Sequence, residues 1–215
     1  MKVQLQSITP NIENTIVEIA RVSSSREDKT AQPDKLLNYL IKNKHWSPFE
    51  HGFITFEIET SKAIGIQLLR HRSFTFQEFS QRYQDVSKVS ESMFEDVEIR
   101  RQATNNRQSS EEIFNPRLED FTMADIAIRN HLRESKRLYG QLLRAGVARE
   151  QARMVLPMAT KTKIFMTGPV RSWIHFLDLR DDGHAQKEIQ LIAKDIKKIF
   201  IQELPIISKA LEWQI

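Results

Sequence analysis

Along the chain, apolar and polar positions alternate at two distinct periods. Residues 2–9 (KVQLQSIT) alternate at period two, as a strand does. Residues 11–20 (NIENTIVEIA) and 33–43 (PDKLLNYLIKN) instead space their apolar residues three and four apart, which predicts short amphipathic helices, the second entered through Pro33. Residues 52–60 (GFITFEIET) form the clearest strand pattern, with Ile54, Phe56 and Ile58 on one face. Ser61 follows as an N-cap for a helix over KAIGIQLLRHR, which would carry Arg70, His71 and Arg72 on its last turn.

Periodicity fades from Val86 to about Arg117, where polar residues dominate; so long a polar stretch reads as a mobile or functional loop over 86–117. A helical pattern returns over 118–145 and ends near Gly146. REQARMVLP reads as a short helix stopped by Pro157, and TKIFMT as a strand closed by Gly168. A helix over PVRSWIHFLDLR and a long amphipathic helix over roughly 184–203 complete the series. The expected fold class is α+β: a helix-rich single domain, residues 1–215, around a small, mainly antiparallel sheet.

Composition narrows the chemistry. Of 215 residues, 32 are Lys or Arg and 28 are Asp or Glu, a net charge of +4 that suits an anionic small ligand as well as nucleic acid. No apolar run approaches the ~20 residues of a membrane span, and the N-terminus lacks a secretion signal, so a cytoplasmic protein without membrane contact is expected. There is no cysteine. Disulfides, thiolate metal sites and cysteine nucleophiles are thereby excluded.

The polar residues then fall into groups. RHRSFTFQEFSQRY (70–83) concentrates Arg70, His71, Arg72 and Arg82 around Glu78 and Ser80. Arginine forks match phosphate oxygens in bidentate geometry and stay charged at any relevant pH. Glu78, Ser80 and Arg82 follow at two-residue steps, which would aim all three to one side of an extended segment. Arg153 lies four residues before Pro157, and Arg171, His175 and Asp178 form a stripe at i, i+4 and i+7 of their helix, with Arg180 near its end. HWSPFEH (45–51) sets two histidines and an acid around Pro48, but its spacing matches no metal-binding pattern, so no metal is expected. Neither a GxGxxG turn nor a GxxxxGK[ST] loop is present. Ser80 has no nucleophile-elbow context and reads as a hydrogen-bonding hydroxyl.

In this order the pieces resemble the flavin-dependent thymidylate synthase family, whose signature is Arg-His-Arg, seven residues, then Ser. Here that is Arg70-His71-Arg72, residues 73–79, then Ser80. HWSPFEH, REQARMVLP, RSWIHFLDLR and HAQKEI agree as well, so the resemblance spans about residues 40–200. It implies reductive methylation of dUMP to dTMP, with methylenetetrahydrofolate as carbon donor, FAD as hydride carrier and NADPH as reductant. It also implies a homotetramer whose sites are shared between subunits.

Residue by residue, the resemblance places Ser47, Arg70, His71, Arg72, Glu78, Arg171, His175 and His184 against FAD. Gln67, Arg70, Glu78, Ser80, Arg82 and Arg153 would hold dUMP, with Glu78 between the two ligands. Arg180 matches the arginine that favours ionisation of the uracil at N3. The chain departs from the family at Gln77, at Pro169-Val170 and at His175, where members often carry Asn, Asn-Ala and Asn. Pro169 has no N–H, so a flavin contact there would need a carbonyl. Two other readings are a dUMP-hydroxymethylating enzyme on the same scaffold, and a single-strand nucleic-acid binder that stacks bases on Phe74, Phe76 and Phe79.

Overall fold

A computed structural model describes residues 1–23, 32–86 and 92–213. The segment 87–91, part of the expected 86–117 loop, lies outside the described residues. In chain order the elements are β1 (Lys2–Ile8), α1 (Ile12–Ala20), α2 (Pro33–Lys42), β2 (Phe53–Ser61), α3 (Lys62–Leu69), β3 (Thr75–Glu78), β4 (Arg100–Gln102), β5 (Ser110–Ile113), α4 (Ala124–Arg144), α5 (Arg149–Ala152), β6 (Lys161–Pro169), α6 (Val170–Arg180), α7 (Lys187–Glu203) and α8 (Pro205–Ala210). The fold is helix-rich α+β, as expected.

The main sheet has the order β1-β2-β6-β3. Its neighbours run antiparallel: Thr9 N–H meets Phe53 C=O at the β1–β2 end, and Val170 N–H meets Gly52 C=O beside β6. Likewise Phe79 N–H meets Lys163 C=O where β3 ends. Ile54, Phe56 and Ile58 share the buried face of β2, as the alternation predicted. On β6, Thr162, Ile164 and Met166 are the buried positions. The expected stop at Gly168 moves one residue on, because the strand continues through Pro169.

The chain divides into two compact units. One comprises Met1, Glu59–Arg70 and Glu78–Ile164; the other comprises Lys2–Ile58, His71–Gln77 and Phe165–Ile215. The first unit is built on α4, whose Tyr139 packs with Val86, Met93 and Ala152. Tyr139 Oη also accepts from Val86 N–H at 3.4 Å. Gly146 at φ 84° closes α4, where a left-handed residue ends a helix without Cβ strain.

Two expectations about this unit need correcting. Leu118 and Phe121 do not belong to α4, which starts at Ala124. Asp120 Oδ1 accepts from Thr122 N–H at 3.0 Å, and Asn115 Oδ1 accepts from Asp125 N–H at 3.0 Å. Together they tie 115–123 into a turn before the helix can begin, and Phe121 is left exposed with φ 62°. The 86–117 stretch is also not without structure, because β4 and β5 pair antiparallel within it, Arg100 opposite Ile113. Apart from the exposed Ile113 its strand side chains are polar, so no alternation revealed it.

In the second unit α7 buries Ile189, Ile192, Ala193, Ile196 and Phe200 along one stripe, and α6 buries Trp173, Phe176 and Leu177. Trp173 Nε1–H donates to Ile54 C=O at 3.1 Å, so the indole is both packed and satisfied. Phe74 lies against Trp173, centroids 4.6 Å apart, and over Gly168. A Cβ at position 168 would come within 2.4 Å of the Phe74 ring. Gly168→Ala is therefore expected to destabilise the protein by about 1–3 kcal/mol, the usual cost of overpacking. Thermal unfolding measures this, and Phe74→Leu added to Gly168→Ala should return part of the loss.

Candidate functional site

Each expected ligand-binding residue falls in one unit or the other. Gln67, Arg70, Glu78, Ser80, Arg82 and Arg153 lie in the first; Ser47, His71, Arg72, Arg171, His175, Arg180 and His184 lie in the second. Helix α3 ends at Leu69 with Arg70 as its C-cap, so His71 and Arg72 leave the helix instead of completing its last turn. The boundary between the units thus passes between Arg70 and His71.

In the first unit, Glu78 is the last residue of β3. Its Oε1 accepts from Lys62 Nζ and from Thr162 Oγ1, each at 2.7 Å. The strand does not continue beyond it. Ser80 C=O accepts from both Tyr83 N–H and Gln84 N–H, which bends 80–84 into a turn. The expected extended alternation of Glu78, Ser80 and Arg82 is therefore not formed. The turn instead brings Arg82 to Glu150 on α5, at 3.2 Å. Arg153 Nε–H donates to the Glu150 carbonyl at 3.4 Å, and Arg149 donates to Tyr83 C=O at 2.9 Å. Arg82 and Arg153, two of the expected dUMP-holding residues, thus meet the same residue. The Arg82–Glu150 pair is half-exposed, and such pairs exchange readily for an arriving anion because solvent leaves them little net stability.

In the second unit, a cleft of about 500 Å³ is lined by Trp46, Glu50, Ser73, Arg171, Ile174, His175 and their neighbours. Asp178 also lines it, so the Arg171–His175–Asp178 stripe read from helical spacing does share one wall. Arg171 is ion-paired with Glu50, which occupies the acid of HWSPFEH. Ser47 stands exposed in the same 3-10 turn as Glu50, and His184 N–H donates to Asp182 Oδ1 at 2.8 Å beyond the end of α6; neither is among the cleft-lining residues. The backbone at 169–170 has no N–H to offer a ligand, since Pro169 lacks one and Val170 N–H donates to Gly52 C=O at 2.8 Å.

His71 lies outside that cleft lining. Its ring is edge-on to Phe176, centroids 4.9 Å apart, and its Nε2 receives Arg180 Nε–H at 2.9 Å. Burial lowers its pKa to about 4, helped by the positive field of Arg180 and by His175. His71 is thus neutral at pH 7, as it must be to accept at Nε2, and its proton is on Nδ1. Phe74 is buried and Phe76 and Phe79 are half-buried, so the three phenylalanines do not form an open stacking platform.

The donor set suits a flavin dinucleotide. Trp46 and Ile174 provide an apolar wall, and Arg171 and His175 provide donors for a pyrophosphate. Lys62, Thr162, Arg149, Trp46 and Ser73 were not anticipated from the sequence. Thr162 carried one signal, a polar residue on the buried face of a strand. Lys62 carried none, because its partner is 16 residues away.

The comparisons with known proteins agree with one another. The family model described as thymidylate synthase complementing protein matches residues 4–206. A "Flavin-dependent thymidylate synthase" of Synechocystis sp. is 42% identical over 202 residues, covering 94% of this chain and 90% of that protein. A "Probable flavin-dependent thymidylate synthase" of Paramecium bursaria Chlorella virus 1 is 41% identical over 223 residues, covering 99% of this chain and all of that protein. Among solved structures, the UMP/dUMP methylase PolB of Streptomyces cacaoi, bound with 5-Br dUMP, superposes with a TM-score of 0.80 at 26% identity, covering 98% of this chain and 94% of that one. By a match that takes in nearly its whole length, this chain belongs to the thymidylate synthase complementing protein family, the flavin-dependent thymidylate synthases.

Proposed function

We propose that this protein methylates dUMP at C5 to give dTMP, with methylenetetrahydrofolate as carbon donor, FAD as bound cofactor and NADPH as reductant. The observation that carries the reading is identity of 41–42% along nearly the whole chain to flavin-dependent thymidylate synthases. The balance of the reaction requires a reductant: a methylene group replaces the C5 hydrogen and becomes methyl only on gaining a hydride, so folate leaves as tetrahydrofolate and NADPH is oxidised. The flavin, when bound, supplies the hydride-transfer chemistry.

The chain's own residues bind, orient and polarise. Arg171 and His175, with Ser47, Arg70, His71, Arg72 and His184, would hold the dinucleotide. Gln67, Arg70, Ser80, Arg82 and Arg153 would hold dUMP, with Arg82 and Arg153 released from Glu150 onto its phosphate. Glu78 would contact both ligands. Arg180 would stand beside uracil N3, where a fixed cation stabilises the anion and moves electron density toward C5. No cysteine is available to activate the ring by addition at C6, so this polarisation must do that work.

We further propose one working domain over 1–215, a cytoplasmic location and a homotetramer with sites shared between subunits. Ile66, Leu69, Met154 and Met158 on the first unit are exposed apolar side chains of the kind that assembly covers. Among the described residues, no helix is long and apolar enough to cross a membrane.

Purified protein is expected to show flavin absorbance and to convert dUMP to dTMP with folate and NADPH. Colourless protein without turnover refutes the reading, and a product heavier than dTMP by one oxygen would assign it to hydroxymethylation instead. Arg180→Ala should retain flavin and lose about 10²–10³ in kcat, the range seen when one transition-state donor is removed.

The same variant has a signature independent of turnover. In the wild type, the His71 imidazole should titrate at about 4 by NMR; without the Arg180 charge its midpoint should rise, with burial still holding it below the ordinary 6.5. Because the folded state resists protonation that the unfolded chain accepts, His71 costs stability as pH falls from 6.5 to about 4, and little further below that. His71→Gln should flatten that part of the stability profile.

A further inference from the structure

We infer that Lys62 is a positioning residue that acts through Glu78, holding its carboxylate so that Oε2 faces the ligands. The inference rests on the proposed role of Glu78 as a contact to nucleotide and flavin. Both protein donors converge on the other oxygen: Lys62 Nζ and Thr162 Oγ1 each lie 2.7 Å from Oε1. Two donors on one oxygen, one of them charged, hold the carboxylate's orientation more firmly than either would alone.

Lys62 is also misplaced for any role in its own helix. It is the first residue of α3, directly after the Ser61 cap, where the positive end of the helix dipole disfavours a cation. Its charge is answered by Glu78, in an ion pair whose side chains are 25% and 23% exposed. Close approach of α3 to β6 makes the reach possible. At Gly65 a Cβ would already lie 3.2 Å from Ile164 and 3.3 Å from Thr162, so this turn of the helix sits close on the strand that supplies the second donor. Thr162 is fully buried, and its hydroxyl is spent on Glu78.

The arrangement has a consequence for an anionic substrate. A carboxylate beside a nucleotide monophosphate repels it, and Lys62 supplies the compensating charge from the side of the protein. Lys62 needs no contact with substrate to matter; it sets the charge and direction of the group that has one.

The test uses flavin-loaded protein and four variants: Lys62→Met, Lys62→Arg, Thr162→Val and Glu78→Gln, with Lys62→Met also combined with Glu78→Gln. Equilibrium dUMP binding by calorimetry, kcat and KM, and thermal unfolding are read for each. Lys62→Met is expected to weaken dUMP binding or lower kcat by about tenfold or more, the scale for losing a charged hydrogen bond, with Lys62→Arg recovering most of it. Thr162→Val should move the same parameter by less. In the Glu78→Gln background Lys62→Met should cost little more, because the group it serves is gone. Wild-type binding and turnover in Lys62→Met, or a loss undiminished in the Glu78→Gln background, overturns the inference. A wild type that holds no flavin and leaves dUMP unchanged refutes the functional reading first, and the inference falls with it.

Discussion

The missing side chain at Gly168 is the constraint on which the second unit depends. The Phe74 ring occupies the space where any other residue would carry its Cβ. From there the ring meets Trp173 at 4.6 Å and Phe176 at 6.1 Å, which fastens the segment after the Arg-His-Arg motif to α6. His71 then rests against Phe176 and is stripped of enough water to stay neutral. With Trp173, Phe176 and Leu177 turned inward, the 3.6-residue repeat turns Arg171, His175 and Asp178 to the cleft. The glycine thereby admits the ring against which both α6 and His71 are packed.

A second constraint is charge. The chain carries many cations for a net of only +4, and three of those described above are partnered by acids: Arg171 by Glu50, Arg82 by Glu150, Lys62 by Glu78. These partnerships differ in kind. Arg171–Glu50 and Arg82–Glu150 are open to water, so they cost little to break and hold the guanidinium groups ready without blocking them. Lys62–Glu78 is largely shielded and reinforced by a buried hydroxyl, so breaking it would strand a charge. The exposed pairs suit exchange with an arriving phosphate, and the shielded pair suits permanence.

These contrasts also explain how much the sequence revealed. Where one face is buried, periodicity was decisive: Ile54, Phe56 and Ile58 on β2, and the α7 stripe, lie where alternation put them. It failed where neither face is buried, as in the β4–β5 pair, and where local turn chemistry overrode a helical pattern, as at Asp120 ahead of α4. The candidate residues could be read from the sequence only as residue types. Their partnerships could not, because Glu78 finds Thr162 at a separation of 84 residues and Arg180 finds His71 at 109. The turn at Ser80 broke an alternation that every local signal supported, through two backbone hydrogen bonds to a single carbonyl.

The pairing of His71 with Arg180 bears most directly on a chain without cysteine. In the proposed reaction the uracil ring is polarised by a fixed cation, and the orientation of that cation matters as much as its charge. A neutral imidazole accepting at Nε2 orients Arg180 and adds no negative charge. That neutrality is maintained by the burial of His71 against Phe74 and Phe176, and by Arg180 itself, whose field opposes protonation of its acceptor. The aromatic packing founded on Gly168 therefore reaches the proposed chemistry by a short route: it keeps neutral the histidine that accepts from Arg180.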